Sequence, residues 1–406
     1  MMMFRKTFGI TLSVILILFA TACTRKTNPT GNNWSDVRPL SFTDSTSFDM
    51  GFSYAATKTV SGNESNLLVG NFEGLQAAAV MRFTGLPKDF SIPVGYQDST
   101  YLELTLVRRS PLIRYPVNLD VYKLNQVWAA DSTNSIQDAN MTLISTQCFT
   151  IPDTVLAAGT EVRIPIPVSA IQNWFNASDA DTLGWNLVIK SNVGAWVEMR
   201  ATETGRGPSL RFKYFSGTPA AEKEYKNRAT RDSYRVDTDL APLLTDQWVI
   251  RNINPSRIYV KFLDNFDLYK DMNGAVLDAL SRQRLTINKA ELIFHVKENP
   301  YYGSSVQYSL RGDRVSRDSI LTAIELTDTD AVSGITTTTF IRGDSVVVNI
   351  TPLVQGYTSG NQANKGVIIR SMQEMLNFGK LELWHFNDAP AGKKPKLRVT
   401  YTPPYL

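Results

Sequence analysis

Apolar and polar residues alternate along this chain in short runs separated by Gly, Pro, Asn, Asp and Ser, and long helical periodicities are absent. Successive side chains of a strand point to opposite faces, so each such run carries one apolar and one polar side. Tyr101-Leu102-Glu103-Leu104-Thr105-Leu106-Val107, Val162-Arg163-Ile164-Pro165-Ile166 and Leu210-Arg211-Phe212-Lys213-Tyr214-Phe215 show this in the first half. Ala290-Glu291-Leu292-Ile293-Phe294-His295-Val296 and Lys396-Leu397-Arg398-Val399-Thr400-Tyr401 show it in the second. Short strands punctuated by turn residues predict an all-β sandwich or barrel.

The runs occur twice in the same order. Ala79 to Phe83 answers to Ile258 to Phe262, and Leu102 to Val107 answers to Ala290 to Val296. Val162 to Ile166, followed by a helical or turn element to Phe175, matches Val346 to Ile350 and its continuation to Tyr357. Leu183 to Lys190 matches Lys365 to Arg370, and each half closes on a Pro-led strand, Pro208 to Phe215 and Pro395 to Tyr401. Several runs in register favour a duplication over chance alternation. The polar stretch between the halves lacks a core face. The expected organisation is a first domain at 41–215, a linker at 216–240 and a second domain at 241–406.

The first 23 residues carry a different pattern. Arg5 and Lys6 precede an apolar run from Phe8 to Phe19, and Ala20-Thr21-Ala22 leads into Cys23. A basic start, an apolar core too short to span a bilayer and small residues before the cut mark a secretory signal at 1–22. With Cys23 next, the segment resembles a bacterial lipoprotein signal, although Ala20 stands where that family usually has Leu. The resemblance implies acylation of Cys23 and anchoring in the cell envelope, with Thr24 in place of Asp pointing to the outer membrane. Two acyl chains suffice for stable anchoring. Residues 23–40 read as the lipidated Cys and a flexible tether.

A second resemblance rests on the repeated runs. Met81-Arg82-Phe83-Thr84-Gly85-Leu86-Pro87, Tyr101 to Val107 and Leu119 to Leu124 with Trp128 after it are its first elements. Val162 to Trp174, Leu187-Val188-Ile189 and Met199 to Glu203 continue it. Each half resembles a DNRLRE-type domain, a jelly-roll sandwich grouped with carbohydrate-binding modules. The resemblance covers Leu67–Phe215 and Arg257–Tyr401, and it implies two tandem jelly-roll β-sandwich domains with polysaccharide binding as a family tendency. In the second half Trp128 has no counterpart.

Composition removes several alternatives. Losing residues 1–22 takes away Arg5 and Lys6, leaving 40 basic against 38 acidic residues. That balance argues against nucleic acid, which needs a concentrated basic face. Only Cys23 and Cys148 are present, so once Cys23 is acylated no disulfide framework or Cys-based zinc site is possible. Cys148, in the run Cys148-Phe149-Thr150-Ile151, reads as a buried small hydrophobe. The two histidines, His295 and His385, lie in no nucleophile-elbow context, so a Ser-His-Asp triad is not expected. No carboxylate pair is marked as a glycosidase couple, and no Gly-rich phosphate loop is present. No cofactor is expected. Asp328-Thr329-Asp330 resembles part of a calcium loop but lacks its later Gly and terminal Glu, so an EF-hand is rejected; a jelly roll can still hold a structural calcium through scattered carboxylates and carbonyls. The tripeptides Arg311–Asp313 and Arg342–Asp344 read as hairpin turns, and Trp174, Trp185 and Trp196 as core of the first sandwich.

Sugar recognition favours flat aromatic faces beside a few polar anchors. Arg108, Arg109, Arg114 and Tyr115 stand together in one predicted loop, Tyr301 and Tyr302 in the corresponding loop of the second half, and His385 at a strand end. These are the candidate ligand-binding residues. The expected function is non-catalytic binding or display by a lipid-anchored outer-membrane protein, with polysaccharide as ligand. The alternatives are a structural or adhesion component that partners other envelope proteins, and a polysaccharide hydrolase or lyase.

Overall fold

In the computed structural model the described residues are 38–404, apart from 47, 57–61, 73, 88–89, 110–115, 130–132, 151–158, 176–184, 192–195, 239–242, 244–245, 263–265, 299–308, 319, 321–325, 328–329 and 333–343. The alternating runs form strands. The first group is β1 (Leu40–Asp44), β2 (Phe48–Ala55), β3 (Asn66–Phe72), β4 (Leu75–Phe83), β5 (Phe90–Ser91) and β6 (Tyr101–Arg109). It continues with β7 (Val117–Leu124), β8 (Met141–Phe149), β9 (Thr160–Pro165), β10 (Trp185–Lys190), β11 (Trp196–Arg200) and β12 (Ser209–Ser216). The second group opens with β13 (Ala221–Arg228), β14 (Arg231–Thr238), β15 (Trp248–Arg251), β16 (Ser256–Phe262) and β17 (Thr286–Glu298). It ends with β18 (Leu310–Val315), β19 (Ala331–Val332), β20 (Ser345–Asn349), β21 (Val367–Ser371), β22 (Lys380–Leu383) and β23 (Lys396–Thr402). Helix α1 (Val168–Phe175) follows β9, α2 (Ala279–Gln283) precedes β17, and α3 (Thr351–Thr358) follows β20.

The strands make two large, curled, antiparallel sheets. The first runs β13-β12-β6-β11-β3-β4-β10-β7-β8, with β14 also on β4, β9 on β6 and β5 on β12. The second runs β1-β23-β17-β22-β15-β16-β21-β18-β19, with β2 also on β16 and β20 on β17. Apart from the short β5, each strand of one order has a counterpart at the same place in the other.

That correspondence carries an exchange. The strands β1 and β2, which open the first repeat, pair with β23 and β16 of the second. The strands β13 and β14, which open the second repeat, pair with β12 and β4 of the first. Each repeat therefore lends its leading strand pair to the other. Two expected boundaries change as a result. The stretch 216–240, read as a linker, contains two eight-residue strands. Residues 40–55, placed with the first half, close the second sheet. Backbone pairing needs no apolar side chain, so β13 pairs along its length although only Tyr225 is buried in it.

Alternation decides what each strand buries. In β6, Leu102, Leu104 and Leu106 enter the first core with Met81, Phe83, Trp185, Leu187, Val197, Met199, Leu210 and Phe212. In the second core Ile258, Val260, Leu292, Phe294, Val346, Val348, Trp248 and Val399 play this part. The outward residues of β3, β4 and β11 (Leu68, Ala77 and Trp196), with Tyr234 of β14, join the second core. Trp185 thus fills the first core as expected, whereas Trp196 faces the opposite way and stacks on Phe378, ring centroids 5.5 Å apart. The side chain of Trp174 lies outside the described residues. Tyr234 is fully buried and its hydroxyl donates to the Met375 carbonyl across the same contact. Among the described residues no helix is long and apolar enough to cross a membrane.

Candidate functional site

Four neighbouring strands of the first sheet, β9, β6, β12 and β13, send their apolar residues inward and leave a polar outer face. Pairing sets charged side chains in rows across this face. Arg163 stands opposite Glu103, Glu103 opposite Ser209, and Ser209 opposite Arg228. In the next row Tyr101 stands opposite Arg211 and Arg211 opposite Lys226; on the other side Glu161 faces Thr105. Arg206 and Gly207, just ahead of β12, join these rows in lining a cleft of about 610 Å³. Gly159 lets the chain approach closely at one wall. It has a φ of +84°, and a Cβ there would meet Thr105 Cγ2 at 2.8 Å.

Charge in the cleft is unbalanced. Arg206, Arg211, Lys226 and Arg228 line it against Glu103 and Glu161, and Arg163 stands opposite Glu103 on β9. Glu103 is nearly buried; its Oε1 receives Arg211 Nη2 at 2.6 Å, and Arg163 Nε lies 3.4 Å from its Oε2. The Arg163 guanidinium also lies 4.7 Å from the centre of the Tyr101 ring, a cation–π distance. Arg206, Lys226 and Arg228 are exposed and have no ion-pair partner among the described residues. Such a row of unpaired cations attracts polyanions, because each guanidinium or ammonium offers several donors and no acceptor.

The second sheet carries a different set of side chains at the matching positions. Leu102 pairs with Leu210 and Ile164, and Leu292 pairs with Leu397 and Val348, which aligns the two faces residue by residue. In that alignment Lys226 corresponds to Thr43, Arg163 to Val347, Glu103 to Ile293 and Glu161 to Ser345. Arg398 keeps the place of Arg211, while Lys396 and Glu291 stand where Ser209 and Tyr101 are, and Arg398 and Lys289 both pair with Glu291. Lys226 and Arg228 also come from β13, so the cleft is built from both repeats.

The residues singled out from the sequence lie elsewhere. Arg108 and Arg109 sit at the far end of β6, paired with β11, and Arg108 Nε is 3.9 Å from Glu198 Oε2. Arg114, Tyr115, Tyr301, Tyr302 and Cys23 lie outside the described residues. His385 is 3 % exposed, not at the surface. Its ring packs edge-on against Trp248, the Asn387 N–H donates to Nδ1, and Nε2 donates to the Gly51 carbonyl at 3.2 Å. Burial lowers its pKa. With both nitrogens engaged inside the chain, His385 is not available to a surface ligand.

Three further expectations change. Cys148 is exposed rather than buried, on β8 at the end of the first sheet's order. Arg311–Asp313 lies within β18 rather than in a hairpin turn, and Asp313 is fully buried between Arg311 and Arg370. Of Arg342–Asp344 only Asp344 is described; it pairs with Lys393. Among the described residues no group of three His, Cys, Asp or Glu converges to hold a metal ion.

The cleft was missed because its residues scatter from position 103 to 228 and meet only through register. The available signal was the charge alternation in Arg211-Phe212-Lys213 and in Lys226-Asn227-Arg228. No family model and no curated protein matches the chain. A solved structure described as that of infectious bursal disease virus Gx strain aligns at 12% identity over 90% of this chain and 77% of that one. Its TM-score of 0.10 carries no argument.

Proposed function

We propose that this chain is a non-catalytic, lipid-anchored envelope protein whose two β units, each a jelly roll of the DNRLRE type, bind an acidic polysaccharide. The observation that carries the reading is the cleft, where exposed Arg206, Lys226 and Arg228 lack carboxylate partners among the described residues. In the second sheet Thr43 stands in place of Lys226, and Arg398, in place of Arg211, is paired with Glu291, so the unpaired cations belong to the first face. Support for the anchor comes from Arg5 to Cys23, and support for the jelly roll from the curling of both sheets around an apolar core. The binding surface shifts from the Arg108–Tyr115 loop to the outer face of β9, β6, β12 and β13.

Affinity electrophoresis of the mature protein tests the proposal. Polygalacturonate in the gel should retard the wild type, neutral dextran should not, and Lys226→Ala with Arg228→Ala should release most of the retardation. Retardation should also fall steeply with added salt, as expected for contacts at exposed charges. Wild-type protein that runs unretarded through every acidic polymer would remove this function.

A further inference from the structure

Glu161 has the sign that a polyanion site should avoid. It faces the cleft from β9 opposite Thr105, is exposed, and has no ion-pair partner among the described residues. Glu103 differs, because it is held by Arg211 and Arg163 and serves to position them. A free carboxylate only accepts hydrogen bonds. It repels a chain of phosphates, which has no donors along its backbone at neutral pH. It can be satisfied by a ligand that brings hydroxyl groups together with its acids. The Thr105 and Ser209 side chains, which line the cleft beside the two carboxylates, add hydroxyls that both donate and accept.

We infer that the ligand of this cleft is a hydroxylated acidic polysaccharide, whose acid groups meet Arg206, Lys226 and Arg228 and whose sugar hydroxyls donate to Glu161. The inference rests on the proposed polyanion cleft and adds a selectivity to it: Glu161 rejects donor-free polyanions and accepts acidic sugars. It also gives the two carboxylates separate duties, one orienting cations and the other reading the ligand.

The test compares full-length mature protein with Glu161→Met and Glu161→Gln in gels containing either polygalacturonate or inorganic polyphosphate. Both substitutions lie on the exposed face, so folding should be retained, as circular dichroism would verify. Gln keeps a neutral acceptor and Met keeps none. For polygalacturonate, Met should weaken binding about fivefold and Gln about twofold, since charge-assisted hydrogen bonds exceed neutral ones. For polyphosphate, both should strengthen binding by a similar factor of about two, because only repulsion is removed. Strengthened polygalacturonate binding in both variants would overturn the role of Glu161. Wild type that binds polyphosphate but not polygalacturonate would overturn the ligand class while leaving a polyanion cleft. Wild type that binds neither would overturn the cleft itself.

Discussion

His385 donates from Nε2 to the carbonyl oxygen of Gly51, 334 residues earlier in the chain and 3.2 Å away. The bond joins the segment after β22 to β2, the strand that the first repeat lends to the second. Trp248 packs against the same place, so the loan is sealed by an aromatic wall as well as by backbone pairing.

Acid should loosen this seal. Burial lowers the folded pKa of His385 below its ordinary 6.5. Its contribution is complete above the unfolded pKa and is lost as pH falls toward the folded one, because the unfolded chain then binds the proton more readily. His385→Gln keeps a donor for Gly51 and does not titrate. Urea titrations should therefore show wild type losing stability relative to this variant between pH 7 and pH 5. A constant difference would show that the imidazole takes up its proton equally in the folded and unfolded chain, against the effect of burial.

Asp232 on β14 should act in the opposite sense. Its Oδ2 accepts from both the N–H and the hydroxyl of Thr202, while Oδ1 is buried without a hydrogen-bond partner. Burial, aided by nearby Glu203, raises its pKa to about 6. The folded state holds this proton more tightly than the unfolded chain, so stability is lost as pH rises from about 4 through 6. Asp232→Asn should be more stable than wild type by about 1–3 kcal/mol at pH 8 and nearly equal at pH 4. Chemical denaturation at the two pH values checks this, and an equal effect at both would contradict the buried charge.

Trp196 and Phe378 should couple the two sheets. Both rings are almost fully buried and lie nearly parallel, with 22° between their planes. Each truncation to Ala should cost about 3–5 kcal/mol. A double-mutant cycle should return about 0.5–1.5 kcal/mol for the stack itself. Additive losses would mean that the rings are neighbours without being partners.

Much of the fold was legible because alternation reports which side chains face inward. The inward leucines of β6 and the repeated order of strands were readable in this way. Strand exchange was not, since alternation carries no information about which edge a strand joins. β13 is mostly exposed and charged, Ala-Glu-Lys-Glu-Tyr-Lys-Asn-Arg, so it read as a linker while its backbone closes the first sheet. The cleft stayed hidden for the same reason: Glu103, Glu161, Arg211 and Lys226 become neighbours only through register. His385 lies next to Trp384 and Phe386, and those apolar neighbours were the cue to burial rather than to ligand contact.

Hydrogen exchange on full-length protein carrying Gly51→Val tests the reciprocal loan of strands most directly. A Cβ at position 51 would lie 2.5 Å from Trp248 Cζ2, an overpacking that should cost about 1–3 kcal/mol and lift β2 from its neighbour. Protection should then fall in residues 256–262, the partner of β2 in the second sheet, while residues 75–83 keep theirs. Protection lost in residues 66–83 and retained in 256–262 would place β2 with the first repeat and contradict the exchange.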